Sequence, residues 1–220
     1  MISLSGTPKS KELDSTIPLA LDSREYSRRG SGGVQDPYAV VRVPLVNAQP
    51  VDMNEALKWL QDTLMDGLPE SISLNMRVPV DLPVVFGDRQ QLLLAFLHLA
   101  SIARGAMTDG GMLSVLVSVV PGQEVRSRLP DASAEQYLYI AVVDNGEAMD
   151  DRIRKRFWTP SCDTNGSGHG TAKRLAVVRS VVRSHRGFIV VGDQPAMGTM
   201  VCVYLPALTV GFSKREPADG

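Results

Sequence analysis

The sequence has few features of a secreted, membrane-spanning or nucleic-acid-binding protein. It has only two cysteines, Cys162 and Cys202, and their spacing resembles no metal-ligand motif. Its longest apolar stretches are a few residues, and its start has no long apolar core of a secretory signal. The formal net charge is -1, without a long basic run. We therefore expect a cytoplasmic protein with free thiols, no membrane insertion and no nucleic-acid partner.

The composition otherwise suits a globular domain, because 44% of the 220 residues are hydrophobic. Residues 1–47 are the exception. They are rich in Ser, Gly, Pro and charge and have no apolar period, although residues 40–45 are apolar enough for a short edge strand. The sequence thus predicts a flexible segment over 1–47, a domain over 48–207 and a C-terminal tail over 208–220.

From Asp52 onward, helix starts and strands alternate in a regular order. Asp52 and Asp88 are followed three residues later by Glu55 and Gln91, the capping-box pattern. Helical apolar spacing follows both aspartates and recurs from Lys173. Strands are predicted at 72–78, 113–120, 137–143, 188–191 and 200–205, with a polar loop from 121 to 135 and a closing hairpin formed by the last two strands. This order predicts an α/β (α+β) two-layer sandwich, a mixed β-sheet with its helices on one face.

Asp144 follows a predicted strand and precedes Asn145 and Gly146. A carboxylate at a strand end can accept a hydrogen bond from an exocyclic amine, such as that of adenine. A glycine just after it allows a flat ring to approach the backbone closely. Thr199 could add a hydroxyl or hold a bridging water. The tripeptide Asp-Asn-Gly is also a common turn, and the residues alone leave both interpretations open.

The order and spacing of these segments resemble the GHKL superfamily, most closely the ATP-binding domain of hybrid sensor histidine kinases. The helix from Asp88 lies where that family has its N box, and Phe157 with the following loop lies where it has the F box and ATP lid. Residues 144–148 lie where it reads adenine, and 198–206 where it has its closing strand. The resemblance covers residues 48–207 and implies the Bergerat fold. It also implies adenine-side contacts by Asp144, Asn145, Gly146 and Thr199.

The chain departs from the family pattern mainly at positions that hold metal and phosphate. The N-box position that supplies an oxygen to Mg²⁺ is Ile102, which offers no such ligand. His98 stands one turn earlier, where the family has Asn or His, and it could equally be a packing residue. The second glycine of the adenine segment is Ala148. The resemblance therefore implies damaged metal coordination beside a partly kept adenine side.

The lid also departs from the pattern. Gly170 and Thr171 match the motif that runs into the helix, but two of its glycines are replaced by Ala172 and Arg174, which flank Lys173. Those glycines let backbone N–H groups approach phosphate at a helix N-terminus. Arg174 could supply charge instead, but its bulk would fill the space.

The histidine that accepts phosphate in a histidine kinase is missing as well. His98, His169 and His185 all lie inside the domain and none precedes an acid. The resemblance therefore implies a degenerate ATP-binding domain that regulates or binds a signalling partner, a histidine kinase or response regulator, in a two-component system. It implies weak ATP or ADP binding at most, no metal site and no catalytic residue. Two alternatives stay open: an active domain that phosphorylates a partner's histidine in trans, and a docking module that binds no nucleotide.

Overall fold

The computed structural model describes residues 44–150, 169–194 and 198–208. Its helices are α1 (Met53–Gly67), α2 (Arg89–Ala106), α3 (Gly122–Arg126) and α4 (His169–Ser184). Its strands are β1 (Gln49–Val51), β2 (Ile72–Arg77), β3 (Val85–Gly87), β4 (Gly111–Pro121), β5 (Gln136–Asp144), β6 (Phe188–Gln194) and β7 (Gly198–Pro206). Residues 1–43, Phe157 with most of the predicted lid, Cys162 and the tail after 208 lie outside the described residues.

Five strands form one mixed sheet in the order β2-β4-β5-β7-β6. β2 and β4 run parallel, whereas β4–β5, β5–β7 and β6–β7 are antiparallel pairs. The predicted mixed sheet and its closing hairpin are therefore confirmed. β1 and β3 form a separate antiparallel pair, which an isolated bridge from Val85 to Ala207 connects to the end of β7.

The helices α1, α2 and α4 pack on one face of the five-stranded sheet, as the helical spacing predicts. Their inward side chains and alternate strand residues form one apolar cluster. In α1 the inward face consists of five buried residues, Met53, Ala56, Leu57, Leu60 and Leu64. Full burial of one leucine contributes roughly 1.5–3 kcal/mol relative to exposure, so this cluster is the main stabilising feature of the domain.

The other face of the sheet is also buried, because the connection after β4 is not simply a polar loop as predicted. It contains α3, and its residues Val125, Leu129 and Ala132 pack against strand residues of that second face. Val125 lies in α3, whereas Leu129 and Ala132 lie in the loop that follows it, so the sequence shows no regular apolar period over this connection. Tyr137 fixes the connection, because its hydroxyl oxygen accepts two backbone N–H groups of the loop at 3.0 and 3.1 Å.

α4 begins at His169, before the predicted start at Lys173. Gly170 and Thr171, which the resemblance assigns to the lid loop, therefore lie in its first turn. The apolar stripe marks only residues that face the sheet, from Leu175 onward. It could not reveal an outward-facing first turn, because such a turn has no apolar period.

Aspartates cap both predicted helix starts. Oδ1 of Asp52 accepts two N–H groups of the first turn of α1, at 2.9 and 3.2 Å. Oδ1 of Asp88 does the same for α2, at 3.0 and 3.2 Å. Such a cap stabilises a helix by about 1 kcal/mol. Glu55 does not complete a capping box; it lies 3.5 Å from Arg89 instead, so the two helix starts are linked by an ion pair.

Asp88 also joins three distant parts of the chain. Its Oδ2 atom accepts the N–H of Asn47 at 3.1 Å, and nearby Gln91 donates its side-chain amide to the Pro44 carbonyl at 2.8 Å. Residues 44–47, which the sequence places in the flexible segment, are thus held against the start of α2. The Asp88 N–H donates in turn to Nε2 of His185, at 2.9 Å, just beyond the end of α4.

Both side chains of this network are buried, and each is held in one protonation state. Burial alone would raise the pKa of Asp88, but four backbone N–H groups together hold that pKa below its ordinary value. Burial lowers the pKa of His185. Because Nε2 accepts the Asp88 N–H and Nδ1 lies 2.8 Å from the Val181 carbonyl, the imidazole is neutral and carries its proton on Nδ1.

Lowering the pH is expected to destabilise the domain through His185. The folded pKa lies below the ordinary value of 6.5, so below pH 6.5 the unfolded chain binds a proton that the folded chain does not. The free energy of unfolding then falls by up to about 1.4 kcal/mol per pH unit until the folded pKa is reached. His185→Gln keeps an acceptor but cannot titrate, and should remove this slope.

The measurement is urea unfolding at about pH 7.5 and about pH 5.5. His98→Gln is the matched control. The pKa of His98 is also lowered, by burial and by the charge of Arg174, so His98→Gln should remove its own contribution and leave the contribution of His185 in place. An unchanged slope in His185→Gln would contradict the assignment.

Candidate nucleotide-binding site

Asp144 lies at the end of β5, and its side chain is turned into the protein. The residue is only 4% exposed. Its Oδ1 atom accepts the N–H of Gly146 at 3.0 Å and the N–H of Thr199 at 3.3 Å. Burial raises the pKa of this carboxyl, and the two N–H groups oppose that rise. One oxygen thus fixes both the turn after β5 and the start of β7.

The second oxygen of Asp144 has a different environment. Within the described residues, no hydrogen bond reaches Oδ2. Oδ2 is not among the fully buried side-chain atoms without a partner, so it keeps some contact with solvent. An amine donor could reach it from outside, so the geometry suits the contact that the sequence predicts for adenine.

Thr199 lies beside Asp144 across the β5–β7 pair and is 3% exposed. Its Oγ1 atom accepts the N–H of Met149 at 3.1 Å, so the far end of the turn is also attached to β7. A hydroxyl has one hydrogen to donate, and this bond leaves that hydrogen for a ligand or a water. The structure therefore brings Asp144, Gly146 and Thr199 together, as the sequence predicts.

Two glycines make this arrangement sterically possible. Gly146 packs against the Ala106 carbonyl at the end of α2, where a side chain would collide with it. Gly198 has a positive φ of 78°, and a Cβ there would lie 2.5 Å from the Asp144 carbonyl oxygen and 2.7 Å from its Oδ1. Ala148, which replaces a family glycine, is not among the described residues with positive φ, so alanine fits there without that strain.

Asn145 is oriented differently from its predicted role as an adenine contact. Its Oδ1 atom accepts the N–H of Met112 at 2.7 Å, at the start of β4. The next residue but one, Glu147, donates its N–H to the Ala106 carbonyl at 2.9 Å. No sequence signal identified Met112 or Ala106 as a support of this turn.

On the phosphate side, α2 presents His98 and Ile102. Ile102 is 8% exposed and belongs to the apolar cluster between the helices and the sheet. His98 is half-buried, and its pKa is lowered by burial and then by Arg174. The effect of the Arg174 charge on His98 indicates that the first turn of α4 lies near this part of α2. Among the described residues, no group of three His, Cys, Asp or Glu side chains could hold a metal ion.

The first turn of α4 carries the remaining lid residues. Gly170 and Lys173 are exposed, whereas Thr171 and Arg174 are half-buried. The guanidinium of Arg174 folds back over Gly170, so that a Cβ on that glycine would lie 2.9 Å from Nη1. Arg174 forms no salt bridge with the described part of the chain.

A family of known proteins shares these features. The family described as "Histidine kinase-, DNA gyrase B-, and HSP90-like ATPase" matches residues 87–209, more than half of the chain. The chain belongs to this family. Curated relatives of this chain include sensor kinases, in agreement with the histidine-kinase branch that the sequence resembles.

Two relatives illustrate the extent of the match. The sensor kinase CckA of Brucella abortus is 24% identical over 196 residues, covering 89% of this chain and 21% of that protein. The sensory histidine kinase/phosphatase NtrB of Azospirillum brasilense is 29% identical over 171 residues, covering 76% and 42%. The chain thus spans less than half the length of these relatives.

Solved structures show the same fold. The catalytic domain of histidine kinase ThkA, in a nucleotide-free form, matches with a TM-score of 0.57 at 15% identity, over 74% of this chain and 99% of that one. Full-length ShkA in complex with AMPPNP matches with a TM-score of 0.58 at 19% identity, over 76% and 32%. The predicted histidine-kinase ATPase fold is therefore confirmed. Among the described helices, none has the length and apolarity needed to cross a bilayer.

Alanine at position 198 should damage this ATPase fold at the candidate site. Gly198→Ala would place a Cβ against Asp144 at a positive φ, so we expect a loss of at least about 2 kcal/mol in the free energy of unfolding. Gly105→Ala is the matched control, because that glycine lies in α2 with nothing within 4 Å of a Cβ. It should be neutral or stabilising by up to about 1 kcal/mol. Chemical denaturation compares the two; similar stabilities would contradict the steric argument.

Proposed function

We propose that this domain is a degenerate histidine-kinase-type ATP-binding module that keeps the adenine side of the site and lacks the metal and phosphate side. It serves as a binding or regulatory module in a two-component system, with a histidine kinase or a response regulator as its partner. The observation that carries the proposal is the contrast between Asp144, whose Oδ2 is left for a donor, and Ile102, whose side chain is part of the core.

The adenine side is supported by its organisation before any ligand binds. Two hydrogen bonds connect Asp144 to Gly146 and Thr199, and a third connects Thr199 to Met149 at the far end of the turn. A ligand that finds its contacts already in place loses less affinity to ordering. An exocyclic amine at Oδ2 and an acceptor at the Thr199 hydroxyl are the contacts that adenine can supply.

Two residues in different helices support the proposed loss of the phosphate side. Ile102 offers no oxygen to a metal that requires near-octahedral oxygen coordination. Arg174 lies over the first turn of α4, where the glycines of the family leave room for phosphate. Because phosphoryl transfer depends on metal ions and on positioning, an active domain that phosphorylates a partner in trans is the less supported alternative.

The deciding experiment measures adenosine, ADP and ATP binding by calorimetry, with and without Mg²⁺. We expect weak and similar affinities for all three, changed less than about twofold by the metal. Each lost charge-assisted phosphate contact removes roughly 1.5–3 kcal/mol, so two losses move a micromolar site towards millimolar. Asp144→Asn should abolish binding, because it replaces an acceptor with a donor, whereas Asp62→Asn on the exposed face of α1 should not.

Each contrary result of this titration has its own meaning. A strong preference for ATP with Mg²⁺ would establish the active domain in place of the degenerate one. If none of the three ligands binds, the alternative that remains is a docking module that binds no nucleotide. Binding that survives Asp144→Asn would remove the adenine assignment.

Restoring one metal ligand should not restore turnover. Ile102→Asn returns an oxygen to the N box but leaves Ala172 and Arg174 in the lid, so we expect no Mg²⁺-dependent phosphate release above that of Ile102→Val, the conservative control. Both variants are checked by circular dichroism, because an asparagine in the apolar cluster destabilises the fold by an estimated 1–3 kcal/mol. Strong turnover in Ile102→Asn would show that the lid is competent.

A further inference from the structure

Asn145 occupies the point where the chain leaves the sheet. The last pair of the β4–β5 ladder is Leu113 with Asp144, and the next pair in that register would be Met112 with Asn145. At that position the N–H of Met112 donates to the side-chain Oδ1 of Asn145, at 2.7 Å. The side chain therefore supplies the acceptor that a strand residue would supply from its backbone.

Because the Asn145 side chain accepts the last hydrogen bond from β4, the backbone can turn away from the sheet at this residue. Immediately after Asn145, the N–H of Gly146 turns back to Asp144, and the N–H of Glu147 reaches the Ala106 carbonyl at 2.9 Å. The turn thereby leaves β5 and packs on the end of α2. Both bonds require the chain to depart at residue 145.

The position of the Asn145 side-chain oxygen supports its role as the acceptor at the end of the β4–β5 ladder. A Cβ on Gly111 would collide with it, so it lies directly against the backbone at the start of β4. A side-chain oxygen bound there is directed at the sheet edge. A longer residue at position 111 would displace it.

We infer that Asn145 is a positioning residue of the adenine site: its side chain ends the β4–β5 ladder and thereby aims the Asp144–Gly146 turn, and it does not contact the ligand. The inference rests on the proposed function only where ligand affinity is concerned, since the positioning of the turn is a property of the free protein. It replaces the direct adenine contact that the sequence predicts for this residue.

The test compares Asn145→Ala with Asn145→Asp, which keeps an oxygen of the same reach but has no amide to offer a ligand. Asn54→Ala is the matched control, because the Asn54 side chain makes no hydrogen bond to the described residues. Two quantities are measured: the hydrogen-exchange rates of the Met112, Gly146 and Glu147 amides, and the Kd of methylanthraniloyl-ADP without metal.

We expect Asn145→Ala to speed exchange at all three amides by at least about tenfold and to weaken binding by roughly three- to tenfold. Asn145→Asp should restore both quantities to within about twofold of wild type. Asn54→Ala should change neither. If Asn145→Ala caused a general structural defect, or if the Asn145 amide bound the ligand, Asn145→Asp would not restore both quantities.

Two results would overturn the inference. One is unchanged exchange at Gly146 and Glu147 in Asn145→Ala, since the turn would then not depend on this side chain. The other is normal exchange but lost binding in Asn145→Asp, since the amide would then contact the ligand. If wild type binds no nucleotide, the proposed function fails, and the exchange rates alone still decide the role of Asn145.

Discussion

The carboxylate of Asp144 connects parts of the chain that are far apart in sequence. Its Oδ1 atom holds the turn that begins at Asn145 and the first residues of β7, and Thr199 returns a bond to the end of the same turn. Without an acceptor at this point, two buried backbone N–H groups would lose their partners. The shape of the candidate site therefore follows from one buried side chain more than from the extended apolar core.

This arrangement has an electrostatic consequence. Burial raises the pKa of the Asp144 carboxyl, so folding works against its charge, and two backbone donors offset that effect only at one of its oxygens. A carboxyl whose pKa is shifted by burial, with one oxygen still open to a donor, is typical of a binding site.

Much of this architecture was accessible from the sequence, and the failures have physical causes. The helix starts at Asp52 and Asp88 could be predicted because a cap is a local interaction between neighbours in the chain. α3 and the early start of α4 escaped detection because their stabilising contacts are made with distant strands or face outward. The role of Asn145 could not be derived either, since its partner Met112 is defined by the register of β4 and β5, and register depends on the whole sheet.

α2 contributes to both halves of the candidate site. Its C-terminal end supports the adenine-side turn through the Ala106 carbonyl, whereas Ile102 faces the apolar cluster one turn earlier. An isoleucine there adds apolar burial that an asparagine would not provide, and this burial stabilises the fold. Arg174 acts in a separate helix and touches none of the bonds around Asp144. The two halves of the candidate site therefore share a scaffold without sharing interactions, so a substitution in one half leaves the hydrogen bonds of the other half in place.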